Sequence, residues 1–283
     1  MKRILILLLL LNGLIARSQT KDILPFTLTS SGHLVIEATV NGIKGKFIFD
    51  TGAGLHLFFK DFAKKLQVKD SYNIFVAHRA TGEAITTPIY YAKDLRIGNQ
   101  LFENQIYSTF DLTLDGIDGL ISLQAFQNTP ITIDYKNKTI SLGELDIKDK
   151  KKYIDIQIAN HADKALDIFT YVTLNNKITI QVALDAGAGQ NSFWIHSKFM
   201  KTLALDSNQF ESYAKKSEFD SLKTNRFFIG SIESIKTANN TAHIKAPKVS
   251  FVEGLIYEGK TSIDWLGKKI AISLPEKKIF ILE

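Results

Sequence analysis

Two aspartates carry the chemistry this sequence is equipped to do. Asp50 closes the run Lys46–Phe49 and is followed by Thr51-Gly52-Ala53-Gly54. Asp185, 135 residues on, closes Ile178–Leu184 and is followed by Ala186-Gly187-Ala188-Gly189. A charge at the end of an apolar strand cannot enter a core unpaired, and the small residues after it allow a sharp turn and close approach by another backbone. Taken singly, each is a surface turn capped by Asp. Taken together, they suggest two turns meeting on a pseudo-twofold axis, carboxylate facing carboxylate. Two carboxylates at that distance cannot both ionise, so they share one proton and titrate as a unit. Such a pair can deprotonate a water and return a proton to a leaving group. That chemistry needs no metal, cofactor or covalent intermediate.

Other chemistries lack their residues. With no Cys among 283 residues there is no thiolate nucleophile, disulfide framework, iron–sulfur cluster or Cys-ligated zinc. The six His form no H-E-x-x-H and no metal-like cluster, and no G-x-S-x-G elbow is present. His56 lies close to the first Asp loop and reads as a half-exposed turn residue. Gly254–Thr261 (GLIYEGKT) formally matches a phosphate-binding loop, but Leu255, Ile256 and Tyr257 are bulky where backbone would wrap a phosphate. No metal, cofactor, nucleotide or nucleic acid is therefore expected.

The elements that must position the aspartates are mostly strands. Short runs rich in Ile, Val, Phe, Thr and Tyr recur at Val35–Val40, Lys46–Phe49, Ile131–Tyr135, Thr139–Leu142, Thr170–Leu174, Ile178–Leu184, Lys248–Val252, Ile270–Leu274 and Ile279–Leu282. Helical patterning is confined to Lys60–Leu66, Ser197–Leu205 and Ser207–Leu222, the last being the longest. The chain repeats itself: TVNGIKGKFIFDTGAG answers TLNNKITIQVALDAGAG, and ITIDYKNKTISL answers IAISLPEKKIFI. An aromatic, Phe58 or Phe193, follows each Asp by eight residues. The Lys-rich stretch Asp146–Lys152 between the halves reads as a solvated linker.

The N-terminus reads as a secretory signal peptide, with Lys2 and Arg3 before the apolar run Ile4–Leu11 and Ala16-Arg17-Ser18 at the cut. The run is too short to span a membrane, and a lipoprotein would need a Cys. Lys2, Arg3 and Arg17 account for half of the formal net charge of +6, so charge argues little for an anionic partner. The expected organisation is a signal peptide over 1–18, a first lobe over 19–147, a linker over 148–152 and a second lobe over 153–283, working in the periplasm or outside the cell.

FIFDTGAG and VALDAGAG resemble the two active-site loops of a bilobal aspartic protease of the pepsin and retropepsin superfamily, closest to its secreted bacterial retropepsin-like branch. The resemblance covers nearly all of residues 19–283, including the lobe ending DGLISLQAFQNTPITIDYKNKTISL. It implies an all-β fold of two β-barrel lobes with a few short helices and a substrate cleft between them. It implies that Asp50 and Asp185 are the catalytic dyad of a monomeric endopeptidase acting on a peptide or polypeptide. Thr51, Gly52, Ala53, Ala186, Gly187 and Ala188 would form the active-site loops, with the N–H groups of Gly52 and Gly187 holding the carboxylates. Ala77–Glu83, with Ala80, Thr81 and Gly82 at its tip, is the flap candidate in the first half, and Thr224–Phe228 a poorer one in the second.

Two features depart from the family pattern. A Thr or Ser usually follows each Asp and bonds across to the other loop; Thr51 supplies one such hydroxyl and Ala186 cannot supply the other. Losing a donor near the pair should raise its pKa, so the expected pH optimum is less acidic than pepsin's. The lobe endings, Gly119-Leu120-Ile121-Ser122 and Gly259-Lys260-Thr261-Ser262, close in Ser where the family often has Gly. Ala186 also leaves open a second reading, a non-catalytic protein that binds extended peptides in the same cleft.

Overall fold

The computed structural model describes residues 22–67, 73–217, 220 and 222–283. The signal peptide expected over 1–18 lies outside the described residues, as do three positions of the expected helix Ser207–Leu222. The fold is all-β, and among the described residues no helix exceeds six residues, Lys60–Lys65 and Phe199–Thr202 being two of them. No helix among the described residues is long and apolar enough to cross a membrane.

In the first half, six strands close on themselves. Leu34–Val40, Ile43–Asp50, Gly119–Ser122, His56–Phe59, Gln100–Phe110 and Tyr90–Ile97 pair in that order, and the last returns to the first through Thr39 opposite Arg96 and Val40 opposite Leu95. Inside the closed sheet sit Phe47, Phe49, Phe58, Phe62 and Phe126, all essentially without solvent contact. Phe47 packs edge-on against Phe62 at 5.1 Å between ring centroids. In the second half, the corresponding strands belong to a ten-stranded sheet centred on Ile178–Leu184, Gly259–Thr261, Phe193–His196 and Lys248–Val252.

One arrangement recurs in both halves and positions the aspartates. The strand leading into each Asp runs parallel to a short strand from the lobe ending, with Gly119 opposite Phe47 and Gly259 opposite Val182. Each short strand is also antiparallel to the strand that leaves the Asp loop, His56–Phe59 or Phe193–His196. The Asp loop is thus pinned between its incoming and outgoing strands by a third strand that arrives about seventy residues later. The two repeated hairpins, 131–142 and 269–281, join side by side through Ile131 opposite Ile272 and Ile133 opposite Ile270. With Asp22–Pro25 at one edge and Tyr153–Asp155 at the other they form a six-stranded sheet shared by both halves, and one continuous apolar core runs through the molecule.

The helix expected over Ser207–Leu222 is not formed. A single turn at Ser207–Gln209, capped by the Asp206 side chain, gives way to a strand, Glu211–Lys216, paired with Thr224–Ser231. Tyr213 stacks on its cross-strand neighbour Phe227 with rings 4.9 Å apart and nearly parallel. Leu222, which helical spacing would bury, is 94% exposed. Cross-strand pairing therefore outweighs local helical preference here.

Candidate active site

The two Asp loops meet back to back. A Cβ placed on Gly52 would fall 2.4 Å from Asp185 Cγ, and one on Gly187 would fall 2.2 Å from Asp50 Cγ. Each carboxyl therefore lies over the opposite loop's glycine, where no side chain fits. Thr51 ties the loops together. Its fully buried hydroxyl donates to the Leu184 carbonyl at 2.7 Å and accepts from the Ala186 N–H at 2.9 Å. One threonine thus makes two crossing bonds, and the reciprocal bonds from position 186 are missing, as alanine requires.

The two carboxylates are held differently. Asp50 Oδ1 accepts from the Gly52 N–H at 2.8 Å and the Ala53 N–H at 3.1 Å. The expected matching role of the Gly187 N–H is not found. Residues Ala186–Ala188 form a tight 3₁₀ turn, in which the Ala188 N–H points to the Asp185 carbonyl rather than its carboxylate. Asp185 Oδ2 instead accepts from Lys260 Nζ at 2.7 Å. Its Oδ1 is buried with no fixed donor. The neighbour able to satisfy it is the Asp50 carboxyl, which can donate only when protonated.

Burial, and next the negative charge of Asp185, push the Asp50 carboxyl up to about 8, against the opposing pull of the Gly52 N–H and the Lys260 ammonium. Asp50 is therefore the carboxyl whose protonated form its surroundings favour. The upward direction agrees with the sequence expectation, but its leading cause is burial rather than the absent hydroxyl at position 186.

A cleft of about 720 Å³ lies over both aspartates. Its roof includes a hairpin, Ile74–His78 with Ala84–Pro88, whose turn carries Ala80, Thr81 and Gly82. Gly82 has φ +88°, which glycine adopts freely. The tip reaches the second half of the chain: the Ile256 N–H donates to the Ala80 carbonyl at 2.9 Å, and Lys223 Nζ donates to the Thr81 carbonyl. Beneath it Glu83 is buried. Burial works against its charge, but hydrogen bonds from Ser217 and Thr81 and the nearby Lys223 outweigh this and hold its carboxyl below the usual range. Thr224–Phe228, the other hairpin candidate, falls in the strand Thr224–Ser231, and Asn225 and Phe227 line the same cleft.

Four further residues have their places fixed by the fold. His56 is fully buried rather than half-exposed and does not line the cleft. Its Nδ1 accepts from the Ser122 N–H at 3.0 Å, and burial lowers its pKa to about 4, so it is a neutral structural residue. Ser122 and Ser262 close the lobe endings with different bonds: Ser122 Oγ caps its own turn, accepting from the Gln124 N–H, whereas Ser262 Oγ accepts from the Ser192 N–H, seventy residues earlier. Lys260 was not among the expected site residues. Gly259–Thr261 is a strand, where a phosphate-binding loop would open a helix, and its Lys points at Asp185. The signal available in the sequence was the comparison of the two lobe endings, which sets Lys260 in the place of Leu120.

Residues 36–125 match the aspartyl protease family. The matched stretch, about a third of the chain, contains the first Asp loop and the strands that hold it. Among solved structures, a retropepsin-like aspartic protease from Rickettsia conorii is 22% identical, covering 44% of this chain and 89% of its own, at a TM-score of 0.34. The structure titled edgp is 8% identical and spans 92% of this chain and 94% of its own at a TM-score of 0.54. That second likeness is one of fold and extends over both halves of the chain. No curated protein gave a match.

Proposed function

We propose that the chain is an aspartic endopeptidase in which Asp50 and Asp185 together activate a water against a peptide bond. The observation that carries this reading is the crossing of the two loops, each carboxyl seated over the opposite loop's glycine. The roles follow from the charge asymmetry. Ionised Asp185 takes a proton from the water as its oxygen bonds to the scissile carbonyl carbon. Asp50 donates its proton to the carbonyl oxygen, giving a neutral tetrahedral diol. As the carbon–nitrogen bond breaks, the nitrogen takes a proton from Asp185, and a hydroxyl of the diol returns one to Asp50. The pair is thereby restored to its starting state. An extended peptide would lie between the aspartates and the hairpin tip at Ala80–Gly82.

Residues 19–147 and 153–283 are assigned as two lobes, each contributing one aspartate, so a monomer holds a complete site. The leader read in residues 1–18 supports export to the periplasm or beyond. The peptide-binding alternative rested on Ala186, and Thr51 alone makes both crossing bonds, so that observation does not favour it. The test is cleavage of a mixed peptide library from pH 3 to pH 8, with and without a statine-type inhibitor. Inhibitor-sensitive cleavage is expected, strongest well above pepsin's acidic range. Inhibitor or peptide binding without cleavage at any pH would overturn the reading in favour of the binding protein.

A further inference from the structure

The two halves set different residues beside their aspartates from the same place in the fold. Leu120 lies opposite Ile48 and Lys260 opposite Ala183, each two residues before the Asp on the neighbouring strand. Both side chains line the cleft. Leu120 contributes an aliphatic surface, whereas Lys260 contributes an ammonium 2.7 Å from Asp185, the two side chains 15% and 11% exposed. The ammonium also lies over the Trp194 ring, 4.6 Å from its centroid, on the adjoining strand. This pair is held on both sides and largely shielded from water, unlike a solvated surface ion pair.

We propose that Lys260 is a positioning residue of the aspartate pair: its ammonium keeps Asp185 as the carboxylate that takes the proton from water, and so leaves the pair's single proton on Asp50. This rests on the reading of the pair as a peptide-hydrolysing site. Two like carboxylates in symmetrical surroundings would share the proton evenly. Here Asp50 sees backbone N–H groups and Asp185 a full positive charge, so the symmetry is broken.

Other charged and titratable groups face the same space. Asp167 comes from the strand Leu166–Leu174 and is paired to His161 at 3.2 Å. Tyr257 comes from the loop after Lys248–Val252. From the roof come His78, Arg79 and Glu83, and from the second hairpin Lys215 and Lys216. The charge of Asp185 acts on Asp167 and Tyr257, where it adds to burial in raising their pKa values, whereas Lys260 bonds an Asp185 oxygen directly.

A cation favours every ionised form, so its removal moves both limbs of the kcat/KM–pH profile upward. The acid limb moves more, because the contact is with the ionised partner. An adjacent opposite charge commonly shifts a carboxylate by about 1–3 pH units. The acid limb of Lys260→Met should therefore rise by about that much, with about tenfold or greater loss of kcat/KM at the acid end. Lys260→Gln keeps a donor without charge and should behave like Lys260→Met. Lys260→Arg keeps the charge and should stay near the wild-type profile.

A wild-type profile in Lys260→Gln would mean that a hydrogen bond suffices and would overturn the proposal. So would a Lys260→Met enzyme that is faster at every pH with both limbs in place, since the lysine would then be a plug over Asp185. The second readout needs no turnover: ¹³C-carboxyl NMR of Asp50 in the full chain, assigned with Asp50→Asn. Its titration near pH 8 should move further up in the Met and Gln variants and stay in place in Arg. That shift in a chain that cleaves nothing would uphold the role of Lys260 while refuting the protease reading. An active enzyme whose Asp50 titration ignores Lys260→Gln would do the reverse. Should Lys260→Met not fold, as circular dichroism would reveal, Lys260→Gln carries both measurements.

Discussion

Thr51→Val is the most incisive perturbation of the site's framework. Valine keeps the shape of a side chain that has no solvent contact, and removes only the hydroxyl that bridges the Leu184 carbonyl and the Ala186 N–H. Both partners are left buried and unpaired, each at a cost of about 1–3 kcal/mol, so the variant should lose about 2–6 kcal/mol in all. That is a large share of the ~5–15 kcal/mol that ordinarily separates a folded chain from its unfolded state. Equilibrium urea unfolding at fixed pH should show a lower midpoint with an unchanged slope. Thr51→Ser retains the hydroxyl and should recover most of the loss. The reasoning is refuted if Thr51→Val unfolds within ~1 kcal/mol of wild type, because the loops would then be joined by something other than these two bonds.

Three further outcomes are expected. Gly187→Ala places a methyl 2.2 Å from Asp50 Cγ, and the displaced carboxyl should cost on the order of 10²-fold in kcat/KM, read from initial rates on any peptide the wild type cleaves. Asp50, raised from 3.8 to about 8, takes up a proton on folding across that range, so stability should fall as pH rises from about 4 to about 8. Urea melts at pH 5 and pH 8 should show that fall in the wild type and a smaller one in Asp50→Asn. His56, lowered from 6.5 to about 4, has the opposite linkage: its contribution is present above pH 6.5 and lost as pH drops through about 4. Imidazole NMR should show it neutral at pH 5.5.

Much of the site was legible because it is local and written twice. An apolar strand, an Asp and Gly-Ala-Gly define each loop within nine residues, and the repeat implies that the loops are equivalent. The hairpins 131–142 and 269–281 were legible for the same reason, as alternating β-branched runs around a turn. Lys260 was not, because its meaning depends on a parallel pairing with a strand some eighty residues earlier, and pattern within its own segment suggested a phosphate loop. The strands Tyr90–Ile97 and Gln100–Phe110 carry Lys, Asp, Arg, Glu and Gln on their outward faces, which dilutes the apolar signal that identified the inner strands. Glu211–Lys216 is exposed along its whole length, so no alternation marks it. His56 was misplaced because burial there depends on Ser122, which arrives from sixty-six residues away to use its Nδ1.

The central claim is that Asp50 and Asp185 act as one hydrolytic pair. The most direct measurement compares peptide cleavage by the wild type, Asp50→Asn and Asp185→Asn across pH 3–8, with unfolding midpoints confirming that all three are folded. Both variants are expected to lose at least about 10³-fold in kcat/KM at every pH, since neither carboxyl can do the other's part. A folded Asp185→Asn protein that cleaves at anything near the wild-type rate would contradict the account.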